Sequence, residues 1–357
     1  MENNMENNSI DYYDIEKNTL YIRHHDLLTL AKNYHFLQNA WFSLSGNMLS
    51  IEEMDSLVMK SSVALQNSIC MVQLQKMHQM LSYNKELSLL ERFIILLMQV
   101  EIDKPLLAEP LVAEEQSDLM VILLLPWLIE LARHKEYITP FPQLENCHSF
   151  SQWFLTTLSE YTDNTIDISF IMSLLLGGFG IVTPTTAVVR FIASTKNRVN
   201  YALIGALCAA GPSHLGACQF VTKRLNALSP HLKRGDIESA MNEYCVTKPY
   251  PGFGHPVMSH DIRVDSFFSQ CGDTFAPYKT LAKTITAYCG LNANVDYLLG
   301  SVLSQRQVNP DIAVLAFFVC RTPTLLSHYR QRFNEHAFGM SSKELREKYK
   351  EVPKHWL

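Results

Sequence analysis

The chain has 357 residues, of which 47% are hydrophobic and 18% are charged, and its formal net charge is −5. This length and apolar content suffice for a large buried core. A charged fraction below the average of roughly 25% indicates that much surface is buried between helices or between subunits. The acidic balance excludes the basic field that attracts nucleic acid or an anionic membrane, so we expect neither as a partner.

The eight cysteines are scattered along the chain, and none forms a Cys-x-x-Cys pair. In a chain of this length the pattern indicates reduced, buried thiols, and neither a disulfide framework nor a zinc site, so no metal is predicted. The first residues are polar and acidic and lack the basic-then-apolar order of a signal peptide. Together these features predict a cytoplasmic protein.

Residues 1–18 are predicted to be disordered, and a helical pattern begins at Thr19. Apolar residues then recur at spacings of three and four, which is typical of amphipathic helices. The clearest stretches are 55–65, 85–100, 118–133 and 149–161. Strict alternation of apolar and polar residues, the sign of half-buried strands, is nearly absent. The sequence therefore predicts an all-α fold with many helices of ordinary length.

Two apolar stretches, 119–132 and 168–182, resemble membrane spans at first sight. Both are shorter than the roughly 20 residues that a span requires. The first also contains Pro126 and Glu130, and the second contains three glycines. We interpret both stretches as buried helices of a soluble protein.

The segment Gly211-Pro212-Ser213-His214 is the first of three that place a polar side chain among helix breakers. A Gly-Pro turn just before a helix would expose the imidazole of His214 near the helix N-terminus. The helix dipole disfavours an imidazolium there, so a neutral His214 is expected. A neutral imidazole N–H is a good donor to a developing enolate. The alternative is a purely structural histidine in a turn.

The second segment, Gly252-Phe253-Gly254-His255, is followed by Pro256 and by Arg263. Its glycines let the backbone approach a ligand closely. A guanidinium such as that of Arg263 matches a carboxylate with two parallel N–H donors. The segment is therefore a candidate for binding an acidic substrate.

The third segment, Asn294-Val295-Asp296, begins an apolar helix. If the carboxyl group of Asp296 is partly buried, its pKa would rise towards that of a useful base. The alternative is that this aspartate caps the helix.

The order and spacing of the three segments resemble the signature blocks of the citrate synthase family. That family has a Gly-Pro-x-His-Gly-Gly-Ala block, a Gly-Phe-Gly-His block followed by Asp-Pro-Arg, and an Asn-Val-Asp block. This chain reads GPSHLGA, GFGHPVMSHDIR and NVDYLLG, and its early LYIRHHD is similar to the family's Tyr-Arg-Gly-Tyr-Asp segment. The resemblance covers residues 19 to 335, and the chain is identified as a divergent member of the family.

The resemblance implies an all-α homodimer with two domains per subunit. A large helical domain would comprise 19–214 and 305–357, and a smaller helical domain, 215–304, would be inserted in it. The family joins acetyl-CoA to an α-keto acid and then hydrolyses the thioester. The expected partners are therefore an acyl-CoA and a keto acid or other carbonyl acceptor. Coenzyme A thioester would be a co-substrate, and no permanently bound cofactor is expected.

The family's roles fall on matching positions of this chain. Asp296 would take the α-proton of the acyl-CoA, His214 would stabilise the enol, and His255 would polarise the acceptor carbonyl. Arg263 and Arg321 would bind acceptor carboxylates. The backbone of Pro251, Gly252, Phe253 and Gly254 would hold the adenine end of coenzyme A.

Departures from the family pattern concern the acceptor. The family's His-x-x-His-Glu block, whose second histidine binds oxaloacetate, is replaced by segment 177–186, which contains neither His nor Glu. The arginine that the family's partner subunit supplies has no clear match, although Arg330 or Arg332 could replace it. Arg190, Arg198 or Arg330 could also approach Arg321 from elsewhere in the chain.

We therefore expect an acyl-CoA condensing acyltransferase whose acceptor is not oxaloacetate. The missing family residues also leave two other functions open. One is a catalytically inactive binding or regulatory subunit. The other is a lyase that runs the reverse cleavage.

Overall fold

The computed structural model describes residues 9–68, 79, 81, 86–99, 114–133, 139–159, 166–337 and 342–351. Sixteen α-helices dominate this part of the chain, so the predicted all-α fold is confirmed. They are α1 Leu27–Asn33, α2 Phe36–Ser45, α3 Ile51–Ser68, α4 Leu89–Gln99, α5 Glu114–Arg133, α6 Cys147–Leu158, α7 Ile168–Leu174, α8 Pro184–Ser194, α9 Val199–Cys208, α10 Ala217–Arg234, α11 Ile237–Tyr244, α12 Ile262–Gln270, α13 Ala276–Cys289, α14 Val295–Gln305, α15 Ala313–Asn334 and α16 Ser342–Glu351.

A small antiparallel sheet precedes the helices. Its strands are β1 Asp11–Asp14, β2 Thr19–Ile22 and β3 His25–Asp26, in the order β1-β2-β3. Asp11 pairs with Ile22, and Ile22 pairs with His25. The predictions of disorder up to residue 18 and of helix from Thr19 are wrong for these residues. Leu20 and Ile22 are fully buried against the helices, and that burial stabilises a hairpin that is marginal by itself. Residues 1–8 lie outside the described part.

The core is built around α5 and α15. In α5 every residue from Asp118 to Ile129 is buried, and in α15 the buried run extends from Ala313 to Tyr329. Helix α15 and the 3-10 turn before it form a continuous helical segment, Pro310–Asn334, which is long and apolar enough to cross a membrane. Its most apolar part, however, lies wholly inside the protein. Burial within one chain also accounts for the apolar stretch 119–132. This stretch therefore gives no independent reason to expect a dimer.

Three helices of the 215–304 segment begin directly after the loops that carry candidate functional residues. Helix α10 begins at Ala217, α12 follows the cap Asp261, and α14 follows the cap Asn294. Helices α10 and α14 pack closely, because Gly300 leaves no side chain between its backbone and Val221. This packing brings the loops at their N-termini to the same end of the helix pair. The division into two domains stays a prediction.

Candidate active site

A cavity of about 450 Å3 lies between these loops and the 177–183 loop, which connects α7 to α8. Every residue that the sequence predicted for the site contributes to its walls. They are His214, His255, Asp296, Arg263 and Arg321, with Pro251, Gly252, Phe253 and Gly254. Residues from both predicted domains therefore line one cavity.

His214 lies in a tight turn before α10. Its backbone N–H and that of Gly216 both donate to the carbonyl of Gly211, at 2.9 and 3.0 Å. Its Nε2 lies 3.3 Å from the hydroxyl oxygen of Thr185. Burial lowers the pKa of His214 to about 4, and the nearby charge of Arg321 acts in the same direction. The imidazole is neutral at physiological pH, as expected, and can donate one N–H.

The tautomer of His255 follows from its backbone contacts. Nδ1 accepts hydrogen bonds from the N–H groups of Val257 and Met258, at 3.1 and 2.9 Å. A ring nitrogen that accepts carries no proton, so the neutral ring carries its proton on Nε2. Burial lowers the pKa of His255, and the charge of Arg263 lowers it further, while Asp261 opposes both. His255 is therefore a neutral ring with an Nε2–H donor.

The loops that carry His255 and Asp296 are joined by backbone hydrogen bonds. Gly254 N–H donates to Asn292 O at 2.8 Å, and Asn294 N–H donates to Gly252 O at 2.9 Å. Gly252 has φ +79°, and a Cβ there would stand 3.0 Å from the Cβ of Tyr297. Only glycine fits such a position. These contacts fix the two loops relative to each other.

Asp296 occupies the first turn of α14 without capping it. The cap is Asn294, whose side-chain oxygen accepts from the N–H of Asp296 at 2.9 Å. In the described part of the chain no group donates a hydrogen bond to the carboxylate of Asp296. Burial raises its pKa to about 7, although Arg263 and Arg321 lower it. A carboxyl group with this pKa is suited to general-base work near neutral pH.

Arg263 is largely committed to a partner in its own helix cap. Its Nε and Nη2 donate to the two oxygens of Asp261, at 2.8 and 2.7 Å, and both side chains are about 1% exposed. Asp261 also accepts from the N–H of Val295 at 3.0 Å. The Nη1 of Arg263 is buried without a hydrogen-bond partner. The predicted carboxylate contact of Arg263 is therefore limited to this one nitrogen.

Arg321 projects from α15 towards the 177–183 loop. Its guanidinium packs 5.4 Å from the ring centre of Phe317, and its Nε is buried without a partner. Burial lowers the pKa of Arg321 to about 10, and the charge of Arg263 acts in the same direction. The side chain stays cationic at neutral pH and is available to an anion in the cavity.

The description "Citrate synthase, C-terminal domain" belongs to a family model that matches residues 3–339. The chain belongs to the citrate synthase family. No curated protein sequence matches it. Because the family model extends over nearly the whole chain, the sequence-based resemblance is confirmed.

Three solved citrate synthases share the fold. The enzyme of Thermotoga maritima MSB8 is 20% identical with a TM-score of 0.68, over 90% of this chain and 88% of that one. The enzyme of the archaeon Thermoplasma acidophilum, solved with carboxymethyl coenzyme A and oxaloacetate, is 15% identical with a TM-score of 0.67, over 93% and 91%. The enzyme of Pyrobaculum aerophilum is 17% identical with a TM-score of 0.61, over 94% and 88%. At these identities the similarity establishes the fold.

The 177–183 loop, where the family's histidine block is missing, contributes an aromatic ring to the cavity. The ring of Phe179 stacks on that of His255, with centres 4.8 Å apart and an interplanar angle of 30°. The sequence identified this loop as apolar, but it did not indicate which residue would face His255. The stacked ring gives His255 an apolar neighbour on one face.

Sequence reasoning missed two residues behind the cavity wall, Asp11 and His328. Asp11 lies on β1 and is 4% exposed. Its Oδ1 accepts from His328 Nε2 and its Oδ2 from the N–H of Gly178, both at 2.6 Å. The available signal was a hairpin pattern, in which the run Tyr12–Tyr13 and the run 19–22 flank a polar turn. Recognising that pattern would have placed Asp11 in a strand.

Three of the four arginines proposed as substitutes for the missing family arginine bind groups outside the cavity. Arg330 donates to both oxygens of the buried Asp118, at 2.9 and 2.7 Å. Arg190 donates to Gln331 at 2.7 Å, and Arg332 donates to the carbonyl of His336 at 2.8 Å. None of these three lines the cavity.

Proposed function

We propose that the protein condenses an acyl-CoA with a keto acid by enolisation and carbon–carbon bond formation, followed by thioester hydrolysis. The observation that carries this proposal is that Asp296, His214 and His255 line one cavity. Asp296 has a pKa near neutrality, and His214 and His255 are neutral rings. Enolisation needs one base and one neutral donor, and the second carbonyl needs another donor.

In the first step the carboxylate of Asp296 removes a proton from the α-carbon of the acyl-CoA. The neutral His214 donates an N–H hydrogen bond to the thioester oxygen, where negative charge develops. The carboxyl group gains the proton, and the C–H electrons form the enolate, whose oxygen is held by the N–H of His214. Preorganised donors of this kind typically contribute about 3 kcal/mol to transition-state stabilisation.

In the second step the enolate carbon attacks the carbonyl carbon of the acceptor. The Nε2–H of His255 donates to the acceptor oxygen and transfers its proton as the alkoxide forms. This leaves an imidazolate, which the N–H groups of Val257 and Met258 stabilise until solvent returns a proton to Nε2. Since Nδ1 accepts from Val257 and Met258, the proton-bearing nitrogen is the one left for substrate. Water then hydrolyses the thioester of the adduct and releases coenzyme A.

A neighbouring cavity supports a site for the body of coenzyme A. It has a volume of about 830 Å3, is lined by Lys248, Tyr288 and Leu291, and shares Tyr250 and Phe253 with the catalytic cavity. The T. acidophilum relative was solved with a coenzyme A derivative. We place the adenosine end against these aromatic side chains, with the thioester reaching past Gly254 to Asp296.

The acceptor proposed is a keto acid other than oxaloacetate. Oxaloacetate carries two carboxylates, and each buried carboxylate requires charged partners. Here Phe179 covers one face of His255, and Arg330 is bound to Asp118. The walls therefore favour a smaller charge and a more apolar substituent.

Deuterium washout tests the reaction. Acetyl-CoA labelled in its methyl group should lose deuterium to water in the presence of the enzyme, and adding the right keto acid should accelerate release of coenzyme A. Oxaloacetate, pyruvate and longer monocarboxylic keto acids would be compared by kcat/KM.

A protein that binds coenzyme A but causes no washout would be a regulatory subunit. A wide preference for oxaloacetate would contradict the acceptor assignment. Cleavage of a citryl-CoA-like adduct, faster than condensation, would assign the lyase direction.

A further inference from the structure

Asp11 is a charged group that the reaction proposed above does not use. Its carboxylate is buried and accepts hydrogen bonds from His328 and from the backbone of Gly178, both at 2.6 Å. Burial would raise the pKa of Asp11, but the hydrogen bond and charge of His328, together with the charge of Arg321, hold it below its ordinary value. Asp11 is therefore an ionised carboxylate behind the cavity wall.

Arg321 and Asp11 both approach the position that a Cβ on Gly178 would occupy. A Cβ placed on Gly178 would overlap Nη1 of Arg321 and would lie 3.1 Å from Oδ2 of Asp11. Glycine at this position thus allows the guanidinium and the carboxylate to lie side by side. At an effective dielectric of about 20, charges this close interact by a few kcal/mol. Arg321 meets a negative charge before any substrate enters.

The two arginines that reach the cavity each have a carboxylate beside them, and Asp296 adds a further carboxylate to its wall. Arg263 is paired with Asp261, and Arg321 is accompanied by Asp11. His214 and His255 are neutral, so they add no positive charge. A substrate with two carboxylates would bring two negative charges into a site with no excess of positive charge. A substrate with one carboxylate could accept hydrogen bonds from Nη1 of Arg263 and Nε of Arg321, which have no partner in the chain.

We propose that Asp11 is a specificity-determining residue, which neutralises Arg321 and thereby selects acceptors with a single carboxylate over dicarboxylic ones. Asp11 acts through Arg321 and does not touch the reacting atoms. This inference rests on the proposed condensation and gives its acceptor a definite chemical class, a monocarboxylic α-keto acid.

The test compares two acceptors of similar shape that differ in charge. Oxaloacetate and 4-methyl-2-oxopentanoate both carry a branched three-atom group on the methylene carbon, but only the first has a second carboxylate. Asp11→Asn should shift the kcat/KM ratio towards oxaloacetate by roughly tenfold to a hundredfold, because one buried negative charge beside Arg321 is removed. Asp14→Asn, on the same strand but bound to the backbone of Glu16 and Lys17, is the control and should leave the ratio unchanged.

A folded, active Asp11→Asn variant with an unchanged ratio would overturn the inference. If that variant does not fold, binding to the unaltered enzyme decides. Calorimetry with oxalate and with its monoamide, oxamate, should show tighter binding of oxamate by about tenfold or more. Equal or tighter binding of oxalate would overturn the inference. Failure of the proposed condensation is recognised separately, because the unaltered enzyme would then cause no deuterium washout.

Discussion

The side of the cavity that carries His255 and Asp296, here called the proton-transfer side, is held by contacts between residues close in the chain or in adjacent loops. The acceptor side, formed by Asp11, the 177–183 loop and Arg321, depends on hydrogen bonds that join residues 167 and 317 positions apart. The proton-transfer side carries the segments that resemble the family's signature blocks, whereas on the acceptor side the histidine block is missing and Arg321 is kept. The chemistry of one side can therefore persist while the other side changes its substrate.

The proton-transfer side can be broken by a single change. Asp296→Asn should lower the rate of deuterium washout by roughly two to four decades, because it removes the base and alters little else. Asp273→Asn, at an exposed position before α13, is the matched control. The two variants should unfold at similar temperatures. Washout within a few-fold of the unaltered enzyme would exclude Asp296 as the base.

The pH dependence of washout sharpens the assignment of that base. Asp296 acts as a base only when ionised, and its pKa is raised to about 7. The rate should therefore fall about tenfold per pH unit below pH 7, giving a loss of about a hundredfold at pH 5. His214, with a pKa lowered to about 4, stays neutral over this range and adds no second step. A rate independent of pH between 5 and 8 would contradict the assignment.

The acceptor side can be altered without touching the base. Gly178→Ala would place a methyl group where Nη1 of Arg321 lies, so the guanidinium must move. We expect kcat/KM for the acceptor to fall by roughly tenfold to a hundredfold, while washout from acetyl-CoA stays nearly constant. Gly205→Ala is the control, because its Cβ would stand 2.5 Å from Ile192 outside the cavity. It should lower the melting temperature and leave the acceptor preference unchanged. Equal loss of both reactions in Gly178→Ala would mean that the two sides are not separable.

The smallest effect concerns association of two copies. The family resemblance predicts a homodimer, and Val182 and Phe191 at and after the 177–183 loop are 76% and 78% exposed. If a second subunit covers this surface, Phe191→Asp should shift the molecule from dimer to monomer in sedimentation at micromolar concentration. The acceptor kcat/KM should then fall by a few-fold, and washout should change less. A 40.8 kDa species for the unaltered protein would contradict the homodimer.

The residues predicted for the proton-transfer side line one cavity, and the contacts that position them are short-range. Asn294 caps the helix that carries Asp296, and His255 accepts from Val257 and Met258 immediately after it. Such short-range contacts lie within sequence motifs that can be recognised without a structure. A neutral His214 was expected from the helix dipole, whereas the largest cause of its lowered pKa is burial. The raised pKa of Asp296 was expected on condition of burial, and burial is its largest cause.

The acceptor side could not be predicted in the same way. Nothing near Asp11 in the sequence indicates that His328 will be its partner, and an acidic, Asn-rich start suggested disorder. The pairing of Arg263 with Asp261 was also missed, although the two residues are only two positions apart. There the family pattern suggested a substrate contact, and the local ion pair was overlooked.

The bond between Asp11 and His328 also has a consequence for the order in which the protein is made. These residues are 317 positions apart. At a synthesis rate of roughly 5–20 residues per second, Asp11 is polymerised about 15–60 s before His328. During that interval the carboxylate of Asp11 lacks its His328 donor, and Arg321, which lies in the same helix as His328, is also still to be made. The acceptor side is therefore completed only when α15 has been made, after all residues of the proton-transfer side.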